Sequence, residues 1–432
     1  MTLHRIRRAN TDWWINEKAA VGPDGRTYIV YITDTGEIHI RQIDTVNPGA
    51  VSRDFRLALI NSSYSDEHDA PSMLILPDGR ITVAYTGHGK QNAIRYRVTR
   101  EPFDIYSFGP EKKLDYGEHR VTYAQISFNE KLGQIWLFTR VDGTNWEFRY
   151  SGDAAESWSE PVRFLETGTA GNKKLYYLNL RKAVLPSADG PCERWQFAMY
   201  GHPRSDDHVI RAGFFDSDGS LCRADGERTG FSLFSGDSID RDALDTVFSA
   251  PGGQTVRLLE VSAILPFRVG FCTFEAGKPE TITYYLSHYE KDGWVTSAPI
   301  CRGGEFLSPV TQTDGSETYV GGMACYWGNG FAGLRTKKGS PVYAGEPMTS
   351  DRVFIARFDG NARVLESYVS SDYGRSYRLE NTLRSIPEAE QIKIWRPTVP
   401  LYASDALPVY WHEGVYGGYA GGWHCDAVFF RD

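Results

Sequence analysis

Histidine, tyrosine and arginine recur at matching places along this chain. His68 lies nine residues before Pro77, Tyr177 nine before Pro186 and Arg257 nine before Pro266. Tyr123 stands nine before Leu132, Trp14 takes the same place before Pro23, and Arg396 stands close before Pro400. A second set closes the apolar run that follows: His88, Arg140, His202 and His412, with Thr33 and Glu275 in the same place elsewhere. A neutral imidazole or an ionised phenol can take a proton from carbon, and a phenol or imidazolium can give one to a leaving oxygen. A guanidinium can neutralise a carboxylate and stabilise the enolate-like charge that grows beside it. A 4-linked uronic acid calls on all three. Loss of its C5 proton and of its C4 substituent is a β-elimination, and it requires no metal or organic cofactor. One histidine near a strand end is ordinarily a hydrogen-bonded surface residue, and one tyrosine in a strand is ordinarily packing. The coincidence across successive stretches is what points to a shared polar site.

The elements that must position these residues are repeated. Val21-Gly-Pro-Asp-Gly-Arg-Thr-Tyr-Ile-Val-Tyr31 is echoed by Leu76-Pro-Asp-Gly-Arg-Ile-Thr-Val-Ala-Tyr85. Further copies carry Gln134-Ile-Trp-Leu-Phe138, Trp195-Gln-Phe-Ala-Met-Tyr200, Ile264-Leu-Pro-Phe-Arg-Val-Gly-Phe-Cys-Thr273, a less regular stretch between Glu305 and Leu379, and Leu407-Pro-Val-Tyr-Trp411. Alternating β-branched and aromatic residues between turn signals predict short antiparallel strands, and no long amphipathic helix is evident. Units of about 50 residues with four strands each are the sequence form of a β-propeller. The expectation is an all-β chain, with residues 1–432 forming one seven-bladed propeller of four-stranded antiparallel blades, and with Thr2 to Ala9 completing the last blade. A sandwich array is the alternative, but radial closure leaves fewer open strand edges. Ser151-Gly-Asp-Ala-Ala-Glu-Ser-Trp158 and Ser370-Ser-Asp-Tyr-Gly-Arg-Ser-Tyr377 read as degenerate Asp-boxes, which are structural turns.

Composition narrows the partners. Hydrophobic residues make up 41% of 432, enough for a large packed core. Lys plus Arg number 47 against 55 Asp plus Glu, a formal charge of −8, which argues against nucleic acid while leaving room for a local basic pocket. Runs such as Ile81–Tyr85 are far too short to span a bilayer, so no membrane partner is expected. The six cysteines form no CxxC pair and mark neither a disulfide scaffold nor a zinc finger. Residues 1–10 are basic but lack the apolar stretch of a secretory signal. The sequence as written is that of an intracellular protein, or of a secreted or periplasmic one whose signal has been removed. A monomer acting on an acidic polysaccharide or oligosaccharide is expected.

Ser65-Asp-Glu-His-Asp-Ala-Pro-Ser72, followed by Leu76-Pro-Asp-Gly-Arg-Ile-Thr-Val-Ala-Tyr-Thr-Gly-His88, resembles the BNR-repeat propellers that include polysaccharide lyases. Ulvan lyases and L-rhamnose-α-1,4-D-glucuronate lyases are of this type. The resemblance continues through Tyr123-Ala-Gln, Trp136-Leu-Phe-Thr-Arg140 and Trp146-Glu-Phe-Arg-Tyr-Ser151, and is most specific over residues 60–160. It implies a seven-bladed lyase that cleaves beside a uronic acid. The paired histidines would be His68 and His88, the catalytic tyrosine Tyr123 and the carboxylate-binding arginine Arg140. Arg204, in Tyr200-Gly-His-Pro-Arg204, would be a looser second basic contact. Which histidine is the base is left open. Arg149, Tyr177 and His202 are expected as nearby substrate contacts, and Arg257, Arg396 and His412 as further members of the ring. Between the two substrates, rhamnosyl-glucuronate is favoured slightly over ulvan. The resemblance also admits a structural calcium or zinc. Cys325, His412, His424 and Cys425 are zinc-ligand types, though no spacing marks a site.

Two other functions compete. A sialidase-type propeller hydrolase would need an arginine triad, a Tyr/Glu nucleophile pair and an Asp acid. The Phe/Tyr-Arg-Ile-Pro motif is absent near the N-terminus, and a histidine pair has no part in that chemistry. A non-catalytic glycan-binding propeller could use Trp13, Trp14, Trp146 or Trp423 for stacking, but would not require His68, His88 and Tyr123 to converge.

Overall fold

The computed structural model describes residues 2–11, 15, 17–47, 52–60, 66–166, 176–185, 192–201, 207–263, 266–307, 320–326, 334–335, 341–342, 351–403, 408–416 and 423–431. Short strands dominate, and the only helical segments among the described residues are single 3-10 turns. Seven antiparallel sheets form a ring, as the repeat predicts.

Each sheet is one blade, and its strands run outward from the axis. Blade 1 contains Ala19–Val21, Arg26–Thr33, Glu37–Asp44 and Ser52–Leu59, with Ala9–Asn10 also pairing to Arg26–Thr33. Blade 2 is Ser72–Ile75, Ile81–Tyr85, Ala93–Val98 and Lys112–Asp115. Blade 3 is Val121–Asn129, Gln134–Val141, Asn145–Ser151 and Val162–Leu165. Blade 4 opens with Tyr176–Leu185, Cys192–Gly201 and Val209–Asp216, and its third strand pairs with both Ser220–Cys222 and Asp245–Ser249. Blade 5 begins with Gln254–Val261, Arg268–Glu275 and Thr283–Glu290. Blade 6 is Met323–Tyr326, Asp351–Phe358, Ala362–Ser370 and Arg378–Pro387. Blade 7 is Lys393–Thr398, Tyr410–Tyr416, Trp423–Arg431 and, as its outermost strand, Thr2–Ile6.

The last pairing closes the ring. Thr2 faces Arg431 and Ile6 faces Ala427, so chain start and chain end share one sheet. Both edges of the array are thereby removed, which is how a propeller avoids an open strand edge. Ala9–Asn10 then crosses into blade 1, so the expected closure over residues 2–9 divides between two blades.

The core lies between blade faces rather than at one centre. Trp136 of blade 3 and Trp195 of blade 4 approach to 4.2 Å between ring centroids, both fully buried. Such aromatic pairs bury large area with fixed geometry. The two Asp-boxes form as read. Ser151 Oγ donates to Asp153 Oδ1 (2.8 Å), which also accepts from the Ser157 amide (2.9 Å). Ser370, Asp372 and Ser376 repeat this at 2.8 and 2.9 Å. These bonds to side chains and amides hold both carboxyls down at about 2. Trp158 then packs edge-on against Tyr96 of blade 2, joining neighbouring blades.

Candidate active site

The site starts in the connection between blades 1 and 2. Asp66 caps the short turn Glu67–Asp69 by accepting the His68 amide at 3.0 Å. The turn delivers His68 just before the first strand of blade 2. His88 follows the second strand, and its amide donates to Asp69 Oδ1 at 2.5 Å. The two imidazoles lie face to face, 4.1 Å between centroids and 8° from parallel. His68 Nδ1 is 2.7 Å from Asp66 Oδ1, and His88 Nδ1 is 2.9 Å from Asp66 Oδ2. One carboxylate therefore spans both rings.

The charges of this group are set by burial. Burial raises the Asp66 carboxyl, but the charge and hydrogen bonds of the two histidines outweigh it and hold Asp66 below the usual range. Burial, and next the charge of His88, push His68 down to about 4, against the pull of Asp66. At neutral pH His68 is a neutral imidazole beside an ionised carboxylate. Asp69 behaves oppositely: burial and the charge of Asp66 push its carboxyl up to about 8, so it stays protonated at pH 7.

Blade 3 adds the next tier. Tyr123 stacks beside His68 at 6.3 Å and 26°. It occupies a β-bulge, where the register with the second strand slips between Thr122 and Gln125. Its φ of 64° is left-handed, a costly conformation for a bulky side chain. Thr139 Oγ1 secures the bulge by donating to the Tyr123 carbonyl at 2.7 Å. Arg140, near the end of the second strand, lies over the Tyr123 ring (4.7 Å) and the Tyr177 ring (5.5 Å). Among the described residues no carboxylate forms an ion pair with it, although it is only 5% exposed. A buried guanidinium held by aromatic faces is a ready receptor for an incoming carboxylate. Burial raises the Tyr123 phenol well above 10 despite the opposing charge of Arg140. The phenol is thus neutral, which suits a proton donor and not a base.

Blades 4, 5 and 7 continue the line. Tyr177 pairs in register with Tyr200, and their rings lie 5.6 Å apart. Burial raises the Tyr200 phenol, and the charges of Arg257 and Arg396 oppose that shift, so both guanidinia lie within electrostatic reach of it. Arg257 also donates to the Val256 carbonyl at 2.9 Å. Arg396 sits at a second bulge, between Trp395 and Thr398, again left-handed with φ 43°. Its amide donates to the Gly321 carbonyl at 2.5 Å. Gly322, at φ +108°, allows this approach, since a Cβ there would lie 3.3 Å from the Arg396 Cα.

The structure therefore brings together His68, His88, Tyr123, Arg140, Tyr177, Arg257 and Arg396. Arg149 is not brought there. Its guanidinium donates to the Ser159 carbonyl (3.0 Å) and covers the Tyr116 ring (4.6 Å), because residue 149 lies three positions further down its strand than the top pair Arg140 and Trp146. His412 is also not brought there. It is fully buried, and its Nε2 accepts the Thr11 amide at 3.1 Å. The true end of that strand is Tyr416, whose hydroxyl donates to Glu67 Oε1 at 2.9 Å. A longer connection before the blade 7 second strand displaced the sequence alignment there. Arg204 and His202 lie outside the described residues. Asp66, Glu67, Asp69, Tyr200 and Tyr416 were missed from sequence. The acidic run around His68 was a signal for the first three.

The expected zinc-ligand types do not assemble. His412 is held by Thr11, His424 Nδ1 lies 2.9 Å from Asp34, and the Cys425 thiol meets the Ala9 carbonyl. Cys325 belongs to the first strand of blade 6. The one grouping of metal-donor atoms among the described residues is Asp66, His68 and His88. Its geometry does not fit an ion, because a coordinated ion lies in the plane of each imidazole and two stacked parallel rings share no such point.

Residues 26–221 match a BNR repeat-containing family. An ulvan lyase from Alteromonas sp. (strain LOR) is 29% identical over an alignment covering 23% of this chain and 23% of that protein. An ulvan lyase of family PL25 from Pseudoalteromonas sp. (strain PLSV) is also 29% identical, over 23% of each chain. The chain thus aligns with about a quarter of the length of these relatives. In three dimensions, a PL25 ulvan lyase bound to -[GlcA(1-4)Rha3S]- superposes with a TM-score of 0.65 at 15% identity, covering 99% of this chain and 96% of that one. The polysaccharide lyase Uly1 gives a TM-score of 0.51 at 12% identity, covering 96% and 90%. At that identity the likeness concerns the fold. The chain is a seven-bladed β-propeller, similar over residues 26–221 to a BNR repeat-containing family and alike in fold to the ulvan lyases.

Proposed function

We propose that this protein is a polysaccharide lyase that cleaves beside a 4-linked uronic acid, glucuronate next to rhamnose, by β-elimination. The observation that carries the reading is the convergence of a stacked histidine pair, a neutral tyrosine and a buried arginine at the inner ends of blades 2 and 3. The matches to ulvan lyases support it. Arg140 receives the C6 carboxylate and disperses the charge that develops when C5 loses its proton. His88 is the more open histidine, with 27% of its side chain exposed against 2% for His68, and it takes the C5 proton. The C5 electron pair forms the C4–C5 double bond, the C4–O bond breaks, and Tyr123 gives its proton to the leaving oxygen. Tyr123 is 1% exposed, so its hydroxyl reaches that oxygen only as the site adjusts around substrate. Arg257 and Arg396 with Tyr200 hold the neighbouring sugar.

A hydrolase reading draws on one observation: Arg140, Arg257 and Arg396 come from three blades to the same tyrosine group of Tyr123, Tyr177 and Tyr200, as an arginine triad would. It leaves the histidine pair without a role. Digestion in isotopically labelled water separates the two. Elimination adds no solvent oxygen to either product and leaves one product unsaturated. Label in a new reducing end, without unsaturation, would overturn the lyase.

A further inference from the structure

Asp66 is not needed for any step above, yet it is the most constrained polar group of the site. Its side chain is 1% exposed. Oδ1 faces His68 Nδ1 at 2.7 Å and also accepts the His68 amide at 3.0 Å. Oδ2 faces His88 Nδ1 at 2.9 Å. An ionised carboxylate can only accept hydrogen bonds, so each facing nitrogen must carry the proton. A neutral imidazole has one such proton, and fixing it on Nδ1 leaves the ring's other nitrogen, Nε2, as the basic one. Parallel stacking and a common anchor point the two Nε2 atoms the same way, away from Asp66.

We propose that Asp66 is a positioning residue for both histidines, holding the stacked pair in the Nδ1–H tautomer so that two basic Nε2 atoms are presented side by side. In its catalytic consequence this rests on the lyase reading, since a base for C5 must arrive unprotonated at Nε2. Other groups face the pair. Glu67 Oε1 lies 3.7 Å from His68 Nδ1 but is taken up by the Tyr416 hydroxyl. Asp69 is committed to the His88 amide. Tyr123 stacks on His68, and Arg140 opposes a positive charge on it. None of these offers a second acceptor to both rings.

The test is Asp66→Asn, which keeps shape and removes one acceptor. The asparagine Oδ1 can still accept the His68 amide and Nδ1, so the turn cap is preserved. The amide Nδ2 then faces His88 Nδ1 and can only donate, so His88 must move its proton to Nε2. Nitrogen-15 spectra of histidine-labelled protein read this directly, with the resonances assigned through His68→Gln and His88→Gln. The inference predicts Nδ1–H on both rings in the wild type. In the variant His68 is unchanged and His88 becomes Nε2–H, while glycan cleavage falls on the order of 100-fold or more at unchanged fold. An Nε2–H form of either ring in the wild type, or an unchanged His88 in a folded variant, overturns it. The spectra decide the inference even if the wild type cleaves no glycan, an outcome that would count against the proposed function alone.

Discussion

Two buried groups at adjacent positions impose opposite pH dependences on folding, and removing one should expose the other. Asp69 is raised from 3.8 to about 8, and His68 is lowered from 6.5 to about 4. Consider the signs. Between those limits the folded state keeps a proton on Asp69 that the unfolded chain has lost, so stability falls as pH rises from about 4 to about 8. For His68 the unfolded chain holds the extra proton, so stability rises with pH from about 4 to 6.5 and is then fully present. Each slope is about 1.4 kcal/mol per pH unit. In the wild type they cancel below pH 6.5, and Asp69 alone costs about 2 kcal/mol between there and pH 8. Asp69→Asn keeps a neutral side chain and an oxygen for the His88 amide, and removes the titration. The variant should gain about 3 kcal/mol from pH 4 to 6.5 and then stay level, so its advantage over wild type widens steadily as pH rises. Guanidinium unfolding followed by tryptophan fluorescence, in half-unit pH steps on both proteins, measures this. Titrations elsewhere cancel in the difference. Parallel curves, or an advantage that narrows with pH, would refute the assignment of a protonated Asp69 beside an ionised Asp66.

Three further outcomes are expected. Tyr123→Phe should fold with a stability change of about 1 kcal/mol or less and lose roughly 10²–10⁴ in kcat, because only the proton donor is removed; activity within threefold of wild type would exclude Tyr123 as the acid. Arg140→Met should lower kcat and kcat/KM together by on the order of 100-fold or more, and Arg140→Lys should recover only part, since an ammonium cannot keep the planar contact with Tyr123 and Tyr177; a change confined to KM would contradict transition-state neutralisation. Gly321→Ala should be strongly destabilising, because its Cβ would fall 2.1 Å from the Ala356 carbonyl oxygen beside the strand that seats Arg396; an unchanged melting temperature would show that this backbone contact is not required.

The architecture was legible because a propeller repeats its errors as well as its signals. A turn that is ambiguous once, such as Pro77-Asp-Gly79, is secure when Pro23-Asp-Gly25 says the same. His68, Tyr177 and Arg257 follow from counting back from a recurring proline, and Tyr123 from Leu132 in the same place, since equivalent strand positions converge on one axis. The count failed at His412, where the connection is longer; Arg149, taken from the matched motif and not from the count, lies three positions down its strand from the site. Tyr123 and Arg396 were found, but not their bulges, because nothing in Thr122-Tyr123-Ala124 announces a left-handed residue. Asp66 was passed over for a different reason: its partnership with His88 spans 22 positions and exists only once the blade has folded.

On the proposed function, the His68, His88, Tyr123 and Arg140 cluster eliminates across C4 and C5 of a glucuronate linked to rhamnose. The direct measurement is ultraviolet absorbance of the unsaturated uronate during incubation with ulvan and with non-sulfated rhamnosyl-glucuronate glycans, wild type beside His88→Ala. A rise with wild type that disappears in the variant is the predicted result. New reducing ends without the absorbance, or a rise that survives His88→Ala, would contradict it.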